Sequence, residues 1–302
     1  MAAITETIVE IRDGKGTLKG VLLVGFGAFL FALAPIFARS TAGYSAPAIA
    51  FYRALFCALT LFVLSAATPA RRREADMRRL AQGTVLLVVL QGVFMGLTSV
   101  LYTYAYLHTT VAKAVLLNYT APIYIAALSP LLLKEQRSRW AWPAVALGFA
   151  GTALIADPLH LASFRAGELG GILAGFGSGI TFAVVLMLGR YLAGRIAPIA
   201  RTMLAGVVMA LMFLPWGLTA PAELLWRNLP WLAGLGFVGL ALPYAFIFAG
   251  QRHITAQVSS MVALFEPVCG IVVGYVVYAE ALSALGIAGA GAVLVSIYLA
   301  SR

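Results

Sequence analysis

The sequence predicts an all-α integral membrane protein: ten transmembrane helices arranged as two inverted five-helix repeats. Three observations predict it. Of 302 residues, 62% are hydrophobic and only 11% charged, where a soluble chain carries roughly 25% charged residues. The apolar residues fall into ten runs, each near the roughly 20 residues that a spanning helix needs. Residues of the first half also recur in the second half at nearly constant spacing. Mean hydropathy is +0.95, more apolar material than a soluble domain can cover with polar side chains.

The elements follow in order. Residues 1–17 are polar and mixed in charge and read as a cytoplasmic tail, not a cleaved signal. The predicted spans are 18–38, 45–67, 83–107, 111–133 and 140–157, then 168–189, 197–218, 230–250, 255–278 and 282–300. Pro47 and Pro198 fall at helix starts, where the missing N–H costs little. The link at "LHTTVAK" is short, but 83–133 as one run is too long for a bilayer without turning. Trp140, Trp142, Trp216, Trp226, Trp231 and Tyr298 lie near predicted helix ends, as an aromatic belt requires. Backbone groups at membrane depth demand helices here.

Lys and Arg set the orientation. With the N-terminus inside, fifteen basic residues face the cytoplasm, among them the five arginines of "RRREADMRR" (71–79). Only Arg39, Lys113, Arg165 and Arg227 face outward, and Arg53 and Arg201 fall within spans. This bias places both termini in the cytoplasm. It also reads the net charge of +10 as membrane-facing and not as a nucleic-acid footprint. Cys57 and Cys269 lie in apolar runs, with no metal spacing and no disulfide expected.

The repeat is specific. Gly25-Phe26-Gly27 recurs as Gly175-Phe176-Gly177, an offset of 150; Arg39, Gly43 and Pro47 recur as Arg190, Gly194 and Pro198 at 151. His108, Pro122 and Glu135 recur as His253, Pro267 and Glu280 at 145. The halves are 18–157 and 168–300, with five spans each. Five is odd, so the second half enters the membrane with opposite polarity, a plan found in secondary transporters.

The stretch "LFEPVCGIVVGYVVYAEALSALGIAGAGAVLV" (264–295) resembles the repeat hallmark of the EamA-type branch of the drug/metabolite transporter superfamily. An acid and a proline open a helix, a Gly/Ala-Glu pair closes it, and a Gly-rich last span follows. "NYTAPIYIAALSPLLLKEQRSRWAWPAVALGFAGTALI" (118–155) is similar. It departs in having Thr120-Ala121 before Pro122 in place of an acid, and Lys134 in place of glycine before Glu135. The resemblance covers nearly the whole chain. It implies ten helices, no ATP site, no cofactor and export of small metabolites from the bacterial inner membrane. The size and Tyr-rich third span are most similar to bacterial amino-acid exporters, particularly the aromatic type.

Polar groups at bilayer depth are the candidate site residues. In spans three and four these are Tyr102, Tyr106, His108, Asn118 and Tyr119. In spans eight and nine they are Tyr244, Phe248, Gln251, Gln257 and Ser260. Tyrosine faces suit a ring or aliphatic chain, and amides and hydroxyls suit a carboxylate or amine, so this lining fits an amphipathic zwitterion. Each has a plainer reading too: interfacial or packing tyrosines, a histidine at a helix end, a Lys113 that snorkels outward. Glu266 lies roughly 16 Å from the inner edge and Arg53 roughly 12 Å from the outer edge at 1.5 Å per residue. In a core about 30 Å thick these depths nearly coincide. Glu266 is therefore expected to pair with Arg53 or to sit protonated beside a cavity, as coupling group or static pair. Pro122 and Pro267 are hinge candidates.

An intramembrane enzyme lacks a paired catalytic set among three histidines, and a channel lacks a ring of like groups. The expected protein is not an enzyme. Its partners are a small-molecule substrate and the lipid bilayer, without nucleic acid and with a monomer as the working form.

Overall fold

A computed structural model describes residues 2–41, 43–66, 84–136, 138–157, 167–219, 222–279 and 281–301. The basic cluster at 71–79, Arg137, Arg165 and Glu280 lie outside the described residues. The described residues form helices and connecting turns. In chain order the helices are α1 (Ala2–Ser40), α2 (Ala46–Ala66), α3 (Val85–His108), α4 (Val111–Asn118), α5 (Ala121–Leu132), α6 (Ala141–Ile155) and α7 (Leu169–Tyr191). Then follow α8 (Pro198–Leu218), α9 (Ala222–Gly236), a π-turn at Phe237–Ala241, α10 (Leu242–Gly250), α11 (Ala256–Ala263), α12 (Phe265–Tyr278) and α13 (Ala284–Ala300).

Eight stretches of these helices are long and apolar enough to cross a bilayer, and α6 and α13 are shorter apolar helices. The outer surface is apolar as well: Leu22, Phe62, Leu131, Leu211, Trp226, Val276 and Ile287 are all exposed. An apolar exterior of that extent belongs in lipid. All six aromatic residues expected at helix ends are exposed.

The structure departs from the sequence expectation in four places. Helix α1 begins at Ala2, so the backbone of the expected tail is helical. The eighth span starts at Ala222, not 230, because Pro230 is accommodated inside α9. The fourth and ninth spans are not continuous. The fourth divides at Tyr119–Thr120 into α4 and α5, and the ninth divides at Leu264 into α11 and α12. Pro122 and Pro267 therefore sit in the first turn of a second half-helix, where proline removes no helix bond.

Local geometry recurs along the chain. Thr110 Oγ1 accepts the Lys113 N–H at the start of α4, and Thr255 Oγ1 accepts the Val258 N–H at the start of α11, both at 3.2 Å. Each fills an otherwise orphaned helix-start donor. Gly43 and Gly194 both have positive φ, 84° and 80°, and so do Lys134 and Ala279, at 55° and 54°. The last pair stands where the hallmark carries Gly or Ala before Glu, and the left-handed backbone there is the reason glycine suits it.

Packing places the core. Helix α2 packs on α8, α6 on α13, α3 on α7, and α1 on α10 and α12; α5 meets α11. At the α6–α13 crossing the backbones touch. A Cβ on Gly151 would lie 2.7 Å from the Gly289 carbonyl oxygen, and one on Gly289 2.5 Å from that of Gly151. Small residues permit this approach, as in other membrane helix pairs. The buried core runs through α2, α7, α8, α10 and α11.

Candidate functional site

The two broken spans meet at the centre. Tyr119, the residue at the α4–α5 break, is 2% exposed. Its hydroxyl donates to Glu266 Oε2 at 2.5 Å, in the first turn of α12. This bond is one of those that join the two halves of the chain, here across 147 residues. A carboxylate at a half-helix N-terminus is favoured by the aligned peptide dipoles and by a charge-assisted donor.

Around that bond stand the aromatic candidates. Tyr102 and Tyr106, one helical turn apart on α3, meet edge-to-face with centroids 5.8 Å apart. Tyr244 is buried, stacks on Phe248 at 5.3 Å and meets Phe31 edge-on at 5.2 Å. Glu266 acts electrostatically on Tyr102, Tyr119 and Tyr244. Arg53 lies within electrostatic range of Tyr244, Tyr106, Cys57 and Glu266. Arg53 Nη2 donates to the carbonyl oxygen of Gly239, which lies within the π-turn at Phe237–Ala241. A π-turn of this kind is common at functional sites. Arg53 and Glu266 thus share one environment but form no direct ion pair within 4 Å, each holding a different partner. Arg53, Tyr102, Tyr106, Tyr119, Tyr244 and Glu266 are the central group.

The other predicted residues stand apart. His108 is exposed at the end of α3, stacked on Tyr104 at 3.8 Å with Nδ1 2.9 Å from the Tyr104 carbonyl oxygen. Its counterpart His253 lies in the α10–α11 turn, where partial burial, then Lys19 and Arg252, push its imidazole below the usual range. Ser260 is buried and bonds back to the Gln257 carbonyl at 2.8 Å, a helix-internal bond. Asn118 Oδ1 and Gln257 Nε2 are buried without a hydrogen-bond partner.

Gln251 and Phe248 belong to a second polar cluster toward the end that the charge bias places inside. Glu135 Oε1 pairs with Arg190 Nε at 2.8 Å, and its carboxylate accepts the Ala256 N–H at 3.0 Å, at the start of α11. Arg190 Nη1 donates to the Gln251 carbonyl at 2.6 Å, and Gln251 Nε2 to the Leu186 carbonyl at 3.0 Å and to Ser259 Oγ at 3.2 Å. Arg201 completes the group, donating from Nη1 to the Gly189 carbonyl at 2.8 Å with its guanidinium 4.1 Å from the Phe248 ring centre. The ends of α5, α7, α8, α10 and α11 are tied together here. Sequence reasoning missed this network, although an arginine inside a span was its visible signal. At the opposite end Lys113 does not snorkel outward: it is buried and pairs with Glu168 at 2.6 Å. An apolar surface groove of about 420 Å³ lies elsewhere, along Leu18, Leu22, Phe26 and Phe246.

The model of the EamA-like transporter family matches twice, over residues 18–156 and 169–302. The chain belongs to the EamA-like transporter family. Its relatives in that family carry transporter names. An uncharacterized transporter of Archaeoglobus fulgidus is 30% identical over 210 residues, 70% of this chain and 74% of the relative. The pseudopaline exporter of Pseudomonas aeruginosa is 26% identical over 287 residues, 94% of this chain and 96% of the relative. A crystal structure that is 16% identical superposes with a TM-score of 0.74, over 93% of this chain and 96% of that one, and shares the fold. This EamA-like protein is therefore a multi-pass membrane transporter.

Proposed function

We propose that the protein is a secondary transporter that exports small amino acids or related metabolites, aromatic amino acids foremost, across the bacterial inner membrane by alternating access. The Tyr119–Glu266 bond at the two helix breaks carries this reading. It joins the halves 18–157 and 168–300 where a solute would have to pass between them. Tyr102, Tyr106 and Tyr244 supply apolar faces for a ring, Arg53 a cation for a carboxylate, and Glu266 an anion for an amine or a proton. Asn118, next to Tyr119 at the α4–α5 break, and Gln257, at the start of α11, add amide groups with an unpartnered atom each.

Ten helices as two inverted repeats, both termini cytoplasmic, supply the two-faced machinery. The matched caps, breaks and left-handed residues described above support this reading. So does the packing: exchanging the halves turns the α3–α7 contact into the α10–α1 contact, and α2–α8 and α6–α13 into themselves. In such a carrier the network around Glu135 and Arg190 closes the cytoplasmic end, and the Lys113–Glu168 pair belongs to the outer end. No catalytic role is assigned to any residue. The name of the Pseudomonas relative favours a second reading, in which the solute is a metabolite other than an amino acid, pseudopaline included.

The test is uptake of labelled L-phenylalanine into proteoliposomes, with unlabelled amino acids as competitors and with or without a proton gradient. Competition by tryptophan and tyrosine, with uptake steepened by the gradient, is the expected result. Uptake equal to that of protein-free vesicles would remove the amino-acid reading.

A further inference from the structure

Arg201 is 0% exposed, three residues into α8, and pairs with no acidic side chain among the described residues. Its described contacts are one carbonyl, that of Gly189, and the face of Phe248. Its Nε has no hydrogen-bond partner, and the charge that acts on it is another cation, Arg252. Gly189 lies in the last turn of α7, whose C-terminal dipole is worth about half an elementary charge. One carbonyl at a helix C-terminus and an aromatic face offset that buried charge only in part, a costly state for a group removed from water. Beside it, Gln251 Oε1 is also buried and unpartnered, and a Cβ on Gly189 would lie 2.3 Å from that oxygen. The guanidinium, the aromatic face and the free amide oxygen thus form one closed cluster directly behind the Glu135–Arg190 pair.

We propose that Arg201 is an inner anion-binding group that receives the carboxylate of the solute as it enters from the cytoplasm, before the solute reaches the central group at Arg53 and Glu266. The proposal rests on the exporter reading above and specifies its cytoplasmic entry site. A carboxylate placed there accepts from the free Nε and the outer face of the guanidinium, in the fork geometry that arginine offers and lysine lacks. Phe248, already stacked on the guanidinium, adds a surface for an aromatic side chain, and Gln251 Oε1 accepts from the solute ammonium. The entry site opens when Arg190 releases Glu135 and the Gln251 carbonyl.

The experiment uses full-length protein in everted vesicles, which expose the cytoplasmic face. Uptake of L-phenylalanine is measured for wild type, Arg201→Gln and Arg201→Lys. Two competitors are used: 3-phenylpropionate, which lacks the amine, and phenethylamine, which lacks the carboxylate. In Arg201→Gln the half-saturating L-phenylalanine concentration and the half-inhibiting 3-phenylpropionate concentration should each rise about tenfold or more, the loss of one hydrogen bond to a charged group. Inhibition by phenethylamine should stay within about twofold. Arg201→Lys, which keeps the charge and loses the fork, should fall between. A merely structural arginine would change the maximal rate or the yield of folded protein without changing this carboxylate-to-amine selectivity. Arg201→Gln protein that is inhibited like wild type by 3-phenylpropionate, or that loses sensitivity to both competitors equally, would overturn the proposal alone. Wild-type vesicles that take up no amino acid would overturn the amino-acid reading, and this entry site with it.

Discussion

Glu266 holds the central position because its carboxylate is bound from the other half of the chain and not by its own neighbours. Tyr119 donates to it at 2.5 Å, and Arg53 stands near it with a different partner. Glu266→Gln keeps the size and removes the titration. Transport by that variant, measured between about pH 5 and pH 8, should lose its dependence on pH. A wild-type profile would leave Glu266 as a static bridge. Tyr102→Ala and Tyr106→Ala remove an edge-to-face pair bordering the centre. Both should lower the transport rate while the yield of folded protein stays unchanged, by size-exclusion profile and thermal unfolding. Unchanged rates at both positions would reassign the pair to packing. Glu266 was legible in the sequence, because a carboxylate beside a proline inside an apolar run needs a reason. Its pairing was not: Tyr119 stands among the candidates, but nothing in the sequence joins it to a residue 147 positions away. Arg201 was visible only as a charge inside a span. The carbonyl and ring that hold it come from α7 and α10.

The elements were the most legible level. A run of about 20 apolar residues leaves a chain little choice but a helix, and most predicted boundaries fall within a residue or two of the helix ends. The breaks at Tyr119–Thr120 and Leu264 were half-legible. Proline marked the place, but proline alone does not say whether a helix bends or stops and restarts. What decided it is local: at each break the chain makes a short turn, Thr120 N–H to Leu117 oxygen and Leu264 N–H to Met261 oxygen. The π-turn in the eighth span had no sequence signal. Close contact of α6 with α13 makes a test at this level. Gly151→Val would press a branched side chain onto the Gly289 carbonyl, and should lower stability by about 1–3 kcal/mol. Gly270→Ala meets nothing within 4 Å, and should be neutral or stabilising by up to about 1 kcal/mol. Thermal unfolding in detergent checks both. Equal effects would mean that the two helices do not touch as described.

At the scale of the whole molecule, the family and its membrane setting follow from the chain itself, while the inverted arrangement makes predictions of its own. Cysteines placed at Ala75 and Arg137 should react with an impermeant reagent only from the cytoplasmic side, and one at Phe164 only from outside. All three labelled from one side would remove the opposed orientation of the halves. The central claim is alternating access, and counterflow tests it most directly. Proteoliposomes loaded with unlabelled L-phenylalanine should accumulate labelled L-phenylalanine transiently above equilibrium, because a carrier must return with a solute from the far side. Glu266→Gln should change how that overshoot depends on pH. Labelled solute that merely equilibrates, at a rate indifferent to the internal load, would indicate a channel. Recovery of chemically altered solute would indicate an enzyme, and either result would contradict the account.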